Sequence, residues 1–196
     1  VICRCKTKCH VKILKNQWFL KFSDEKWKKI VRGAINKTKF YPEIARTQFL
    51  NTVDWLDDKA CARKSGLGTK LPWDEEWIVE TLSDSVIYMA YYTVAHLINK
   101  IPEEKLTDEF FDYVFLGKGN SKILAKKLKL DEKLISKMRN EFEYFYPIDV
   151  RISGKDLIQN HLTYFLFHHT AIWENSAMWP RGIAVNGYVT VSGRKM

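Results

Sequence analysis

The stretch from Ile148 to Val191 constrains the fold most: IDVRISG, an apolar strand pattern, then KDLIQNHLTYFLFHHTAIW at helical length, then GIAVNGYVTV as a second strand pattern. Two strands joined through a helix cannot form a hairpin, so they lie parallel with the helix as crossover. The fold class is therefore α/β with a parallel sheet. In such sheets ligands collect at the carboxyl ends of strands and at the helix starts that follow. The first of these ends is ISGKDLIQNH, where Gly154 lets a ligand approach the backbone and Asp156 is placed to accept a hydrogen bond from a ribose hydroxyl. His161 follows five positions on and faces the same cleft. The second is GYVTVSGRKM, where Lys195 on a glycine-flanked mobile loop is suited to neutralise a polyphosphate.

The remaining segments are read in chain order. HVKILKNQWFLKF alternates as one or two strands, and SDEKWKKIVRGAINK carries a capping pattern ahead of a helix from about Asp24 to Ile35. Pro42 opens a second helix, with Ile44, Phe49, Val53, Trp55 and Leu56 on one face. CARKSGLGTKLPW is a tight-turning loop, Ile78 to Glu80 a short strand, and a long helix runs from about Ser85. Residues 101–146 read as a helical insertion around a GKGN turn. An amphipathic helix packing on its neighbours accounts for that pattern.

Charge is uneven. Residues 1–40 hold twelve Lys and Arg against Asp24 and Glu25, a net +10 within a chain of net +9, and the aromatics Trp18, Phe19, Phe22 and Trp27 are interleaved with them. Such a segment suits a phosphate backbone, and equally a solvated helix face. The longest apolar run, VIYMAYY, is far shorter than the ~20 residues of a membrane span, so no membrane partner is expected. Cys3, Cys5 and Cys9 cluster in CRCKTKC beside His10. Two readings stay open for them: half of a zinc site completed from outside the chain, or cysteines without a metal role. Cys61 reads as a small buried residue.

Taken together, CRCKTKC, QWFLK, DWLDDKACARKSGLGTKLPWD, ETLSDSVIYMAYY, YPIDVRISGKDLIQNHLTYFLFHH and WPRGIAVNGYVTVSGRKM resemble leucyl-tRNA synthetases of the archaeal and eukaryotic cytosolic type, within the class I aminoacyl-tRNA synthetases. The resemblance implies the second half of a Rossmann-like catalytic domain (41–100 and 147–196), the helical insertion (101–146) and a basic connecting segment (1–40) with a partial zinc knuckle. It implies ATP-dependent activation of leucine to leucyl-adenylate in the cytoplasm and transfer to tRNA(Leu), with ATP and Mg2+ required.

By position, Gly154 and Asp156 would hold the adenosine ribose. Ser85, Tyr88 and His161 would lie near leucine. Lys195 and Met196 would open the Lys-Met-Ser-Lys-Ser loop, and GLGTKLPW would border the channel for the acceptor end. Cys5 matches one member of the family's zinc pair, and Cys3 is offset by one residue from the other. Leu82 and Leu157 depart from bacterial relatives. The family's His-x-Gly-His motif and editing pocket are not in this chain, so the reading expects an internal segment that is inactive without the rest of the synthetase chain. The alternatives are an isoleucyl-, valyl- or methionyl-type synthetase, or a non-catalytic RNA-binding module.

Overall fold

The computed structural model describes residues 1–11 and 13–195, and shows an α/β fold around a three-stranded parallel sheet. Gly182–Asn186 is the central strand, with Lys39–Tyr41 on one side and Arg151–Gly154 on the other, both parallel to it. Registers run Phe40 to Ile183 and Ile152 to Ala184. The connection from Arg151–Gly154 to Gly182–Asn186 carries the helix Thr163–Ile172, so the strand, helix, strand reading of the sequence is realised. Arg151–Gly154 differs from the buried strand expected there. It is one of the two edge strands of the sheet, and Ile152 on it is 71% exposed.

Three helices cover the sheet: Glu25–Lys37, Ala45–Trp55 and Thr163–Ile172. In the first, Asp24 caps the amino end by accepting from the Trp27 amide, and Val31, Ala34 and Ile35 recur at the spacing that buries one face. Val31 and Ile35 meet Phe40, Phe49, Val53, Phe165 and Ile183 in one core. The second helix begins at Ala45 rather than at Pro42. Phe49, Val53 and Leu56 are buried as expected, but Ile44 and Trp55 lie outside the packed face, exposed at 73% and 51%.

A second apolar cluster joins Val94, Phe110, Ile135, Met138, Phe142 and Trp173. Its main helices are Ser121–Leu128, capped by Asn120, and Glu132–Phe145, capped by Asp131. The long helix expected from about Ser85 is instead two short ones, Tyr88–Tyr92 and Ala95–Ile98, preceded by a single helical turn at Thr81–Asp84. One break has a visible cause. The Thr93 hydroxyl donates to the Ala90 carbonyl at 2.7 Å, and the Val94 amide, which would have used that acceptor in a continuous helix, turns to Tyr91.

The CARKSGLGTKLPW segment forms part of a small antiparallel sheet, Ala62–Arg63 and Lys70–Leu71 flanking Asp74–Val79, around buried Trp77. The strand foreseen at Ile78–Glu80 is thus longer and starts earlier. A Cβ at Gly68 would stand 2.7 Å from Ile78 Cγ2, so the turn closes only over glycine. Of the strands expected in residues 10–22, only Phe19–Leu20 forms, paired with Lys59–Ala60; Lys12 lies outside the described residues. No helix among the described residues is long and apolar enough to cross a membrane.

Candidate functional site

The outer and central strands of the parallel sheet end together, Gly154 beside Asn186. From Gly154 the chain enters a one-turn 3-10 helix, Lys155–Leu157, then a π turn, Ile158–Leu162, before the regular helix starts at Thr163. Asp156 thus precedes the α-helix expected at this point. The Thr163 hydroxyl donates to the Ile158 carbonyl, five residues back, and so supports the wide turn. A Cβ on residue 154 would lie 2.5 Å from Asp156 Oδ1, so glycine is what lets the carboxylate fold back over the strand end. Asp156 is exposed and borders a cleft of about 410 Å³ with Gln48, Lys155, Gln159 and Tyr188. Lys155 Nζ stands 4.4 Å from the centroid of the Tyr188 ring, a cation over an aromatic face. The cleft therefore offers one carboxylate, one ammonium, two amides and an aromatic face.

Just along the same segment is a second cluster. Arg151 on the outer strand places its guanidinium 5.5 Å from the Tyr88 ring centroid, and its Nη2 lies 3.4 Å from His161 Nε2. Tyr88 in turn packs on Tyr92, ring centroids 5.1 Å apart. His161 is half-buried, and its pKa falls below the ordinary histidine value, first through burial and then through the Arg151 charge. Arg151 Nε is buried and has no hydrogen-bond partner among the described residues.

Of the residues singled out in the sequence, Gly154 and Asp156 stand together at the cleft, while Tyr88 and His161 meet through Arg151, which the sequence reading did not single out. The available signal was a cation inside an otherwise apolar strand, with Ile152 and Val150 beside it. Ser85 ends the short helix that precedes Tyr88, its amide donating to the Thr81 carbonyl, and its side chain makes no hydrogen bond to the cluster among the described residues. Leu82 and Leu157 pack against the main core.

The mobile loop foreseen for Lys195 is a hairpin in the structure. Arg194–Lys195 pairs with Thr190–Val191, and Ser192 and Gly193 both turn through positive φ, 50° and 76°. Met196 lies outside the described residues. At the other end Cys3, Cys5 and Cys9 are exposed thiols on a tight turn closed by the Cys3 amide to the Thr7 carbonyl. Hydrogen bonding to Thr7 lowers the Cys5 thiol to about 7. Among the described residues no three His, Cys, Asp or Glu side chains gather within reach of one metal ion.

The GLGTKLPW loop is anchored from two sides: Arg63 donates to the Leu67 carbonyl, and Trp18 packs edge-on to Trp73 at 5.8 Å while its Nε1 donates to Asp74.

No family model matches the chain. It is similar to leucine–tRNA ligases of Methanococcus maripaludis (54% identity over 197 residues, 100% of this chain and 20% of that protein) and Methanocaldococcus jannaschii (55% over 198 residues, 100% and 21%). It is likewise similar to leucine–tRNA ligase 2 of Saccharolobus solfataricus, at 52% over 198 residues, covering 100% of this chain and 21% of that one. The chain thus spans about a fifth of the length of these relatives. Among solved structures, Mycobacterium tuberculosis methionyl-tRNA synthetase bound by methionyl-adenylate matches with a TM-score of 0.55 at 19% identity, covering 90% of this chain and 27% of that one. At that identity the likeness concerns the fold alone.

Proposed function

Since this chain is homologous along its whole length to an internal fifth of archaeal leucine–tRNA ligases, we propose that it carries one side of the amino-acid activation site of a cytoplasmic enzyme of that kind. The reaction is attack of the leucine carboxylate on the α-phosphorus of ATP, giving leucyl-adenylate and pyrophosphate. Transfer of the leucyl group to the terminal ribose of tRNA(Leu) follows, with release of AMP. ATP enters as its magnesium complex.

The observation that carries the reading is the shared end of the two parallel strands, where Gly154 and Asp156 open a polar cleft with an aromatic wall. Asp156 would accept hydrogen bonds from the adenosine ribose, with the backbone at Gly154 close enough for the ribose to approach. Tyr88 and His161, with Ser85 nearby, would line the leucine side. Lys195 would begin the segment that stabilises the departing pyrophosphate, with Met196 next to it. Phosphoryl chemistry of this kind needs donors on several sides of the phosphates. This chain supplies groups from one sheet edge, so activity requires the remainder of the synthetase chain, and the 196-residue segment alone is inactive.

The test is Asp156→Ala in the full-length ligase, assayed by ATP–pyrophosphate exchange. The expected result is a rise of about tenfold or more in the ATP KM with little change in the leucine KM, the scale of one lost hydrogen bond to a charged group. Unchanged exchange kinetics would remove Asp156 from the site.

A further inference from the structure

The Arg151, Tyr88 and His161 cluster contains more than the activation reading uses. A guanidinium donates through all its nitrogens and cannot accept, nor lose its proton in a protein. The 3.4 Å contact between Arg151 Nη2 and His161 Nε2 therefore has a single polarity: Nε2 accepts. In the neutral ring the proton must then sit on Nδ1, because the bond made by one ring nitrogen sets the tautomer of the other. Protonation at Nε2 would point an N–H at a fixed cation, so the same contact keeps the ring uncharged.

Arg151 is itself held. Its guanidinium lies over the Tyr88 ring, and its backbone is fixed by pairing with Ile183 in the central strand. Its buried Nε has no partner among the described residues, a cost the fold bears without return in stability. After burial, the cause that lowers the His161 pKa is the charge of this same Arg151.

We infer that Arg151 is a positioning residue of the leucine site: stacked on Tyr88, it locks His161 in the neutral form with the proton on Nδ1. With Nε2 occupied, the ring presents Nδ1–H as its one free donor, which suits the carboxylate of the amino-acid substrate rather than its donor-only α-ammonium. This inference rests on the placement of leucine near His161.

The experiment measures leucine- and ATP-dependent pyrophosphate exchange on the full-length ligase with Arg151→Met, His161→Ala and the double variant. If Arg151 acts through His161, Arg151→Met raises the leucine KM by about tenfold, the scale of a lost charge-assisted hydrogen bond. The ATP KM and the melting temperature stay unchanged, and the double variant is no worse than His161→Ala alone. Losses that multiply in the double variant overturn the inference, as does an unchanged leucine KM in Arg151→Met while His161→Ala raises it. If His161→Ala itself leaves the leucine KM unchanged, the placement of leucine fails instead. Should Arg151→Met not fold, Arg151→Gln decides. It keeps an N–H donor, so a leucine KM within about threefold of the parent supports the lock, and a tenfold rise overturns it.

Discussion

Single residues in this chain are best understood through what surrounds them, and His169 shows why. It is fully buried between Tyr146 and Trp173 rings, its Nδ1 donates to the Phe165 carbonyl at 2.7 Å, and its Nε2 stands 3.3 Å from the Tyr146 hydroxyl. Burial lowers its pKa to about 4, from an ordinary value near 6.5. A depressed folded-state value means that the unfolded chain takes up the proton first. The stability owed to neutral His169 is therefore present above about pH 6.5 and is lost as the pH falls through about 4. Urea unfolding across that window should show the decline, and His169→Asn should flatten it.

The sequence pointed to Gly154, Asp156 and His161 by type and spacing. It could not point to Arg151, because what matters there is the third dimension: the outer strand lies across from Tyr88, over sixty residues away in the chain. Nor could it tell that His169, of the adjacent His168–His169 pair, is the more deeply buried.

At the level of elements, caps and periodicity were legible and breaks were not. The helix after Asp24 starts within a residue of where its capping pattern puts it, because the cap is a local bond. The segment after Ser85 misled for an equally local reason: apolar spacing continues through Val94 and Leu97, but the Thr93 hydroxyl diverts one carbonyl and the helix restarts. Likewise the strand at Arg151–Gly154 has a buried pattern in sequence and an exposed outer side in the fold, since alternation does not reveal which neighbour is absent. Where a cap alone holds an element, its removal should register. Asn120 accepts from the Lys122 and Ile123 amides at the start of Ser121–Leu128. Asn120→Ala should lower stability by about 1 kcal/mol, measured by denaturant midpoint, with no effect on exchange kinetics in the full-length enzyme.

For the whole molecule, the open side of the parallel sheet is the dominant property. Parallel sheets are normally covered on both faces, yet here the outer strand shows Ile152 and Val150 to solvent with Tyr92 and Phe145 close by on the helical side. An unpaired strand with apolar side chains is a template for pairing with another chain. The 196-residue chain expressed alone should therefore self-associate in analytical ultracentrifugation, and Ile152→Lys should shift it towards monomer. A monomeric parent chain at micromolar concentration would show that the edge is not adhesive.

The helical cluster bears on this too. Trp173, at the far end of the crossover helix, donates its indole N–H to the Phe115 carbonyl at 3.0 Å and stacks with Phe142, while Tyr146 reaches back to His169. The crossover that joins the two strands of the candidate site is thus held at its carboxyl end by the Phe115 carbonyl and the Phe142 and Tyr146 side chains, all from residues 108–146. Excising that segment would strip the partners from Trp173 and His169 and unlatch the sheet. A segment that reads in sequence as added material is, mechanically, the keystone of the part it was added to.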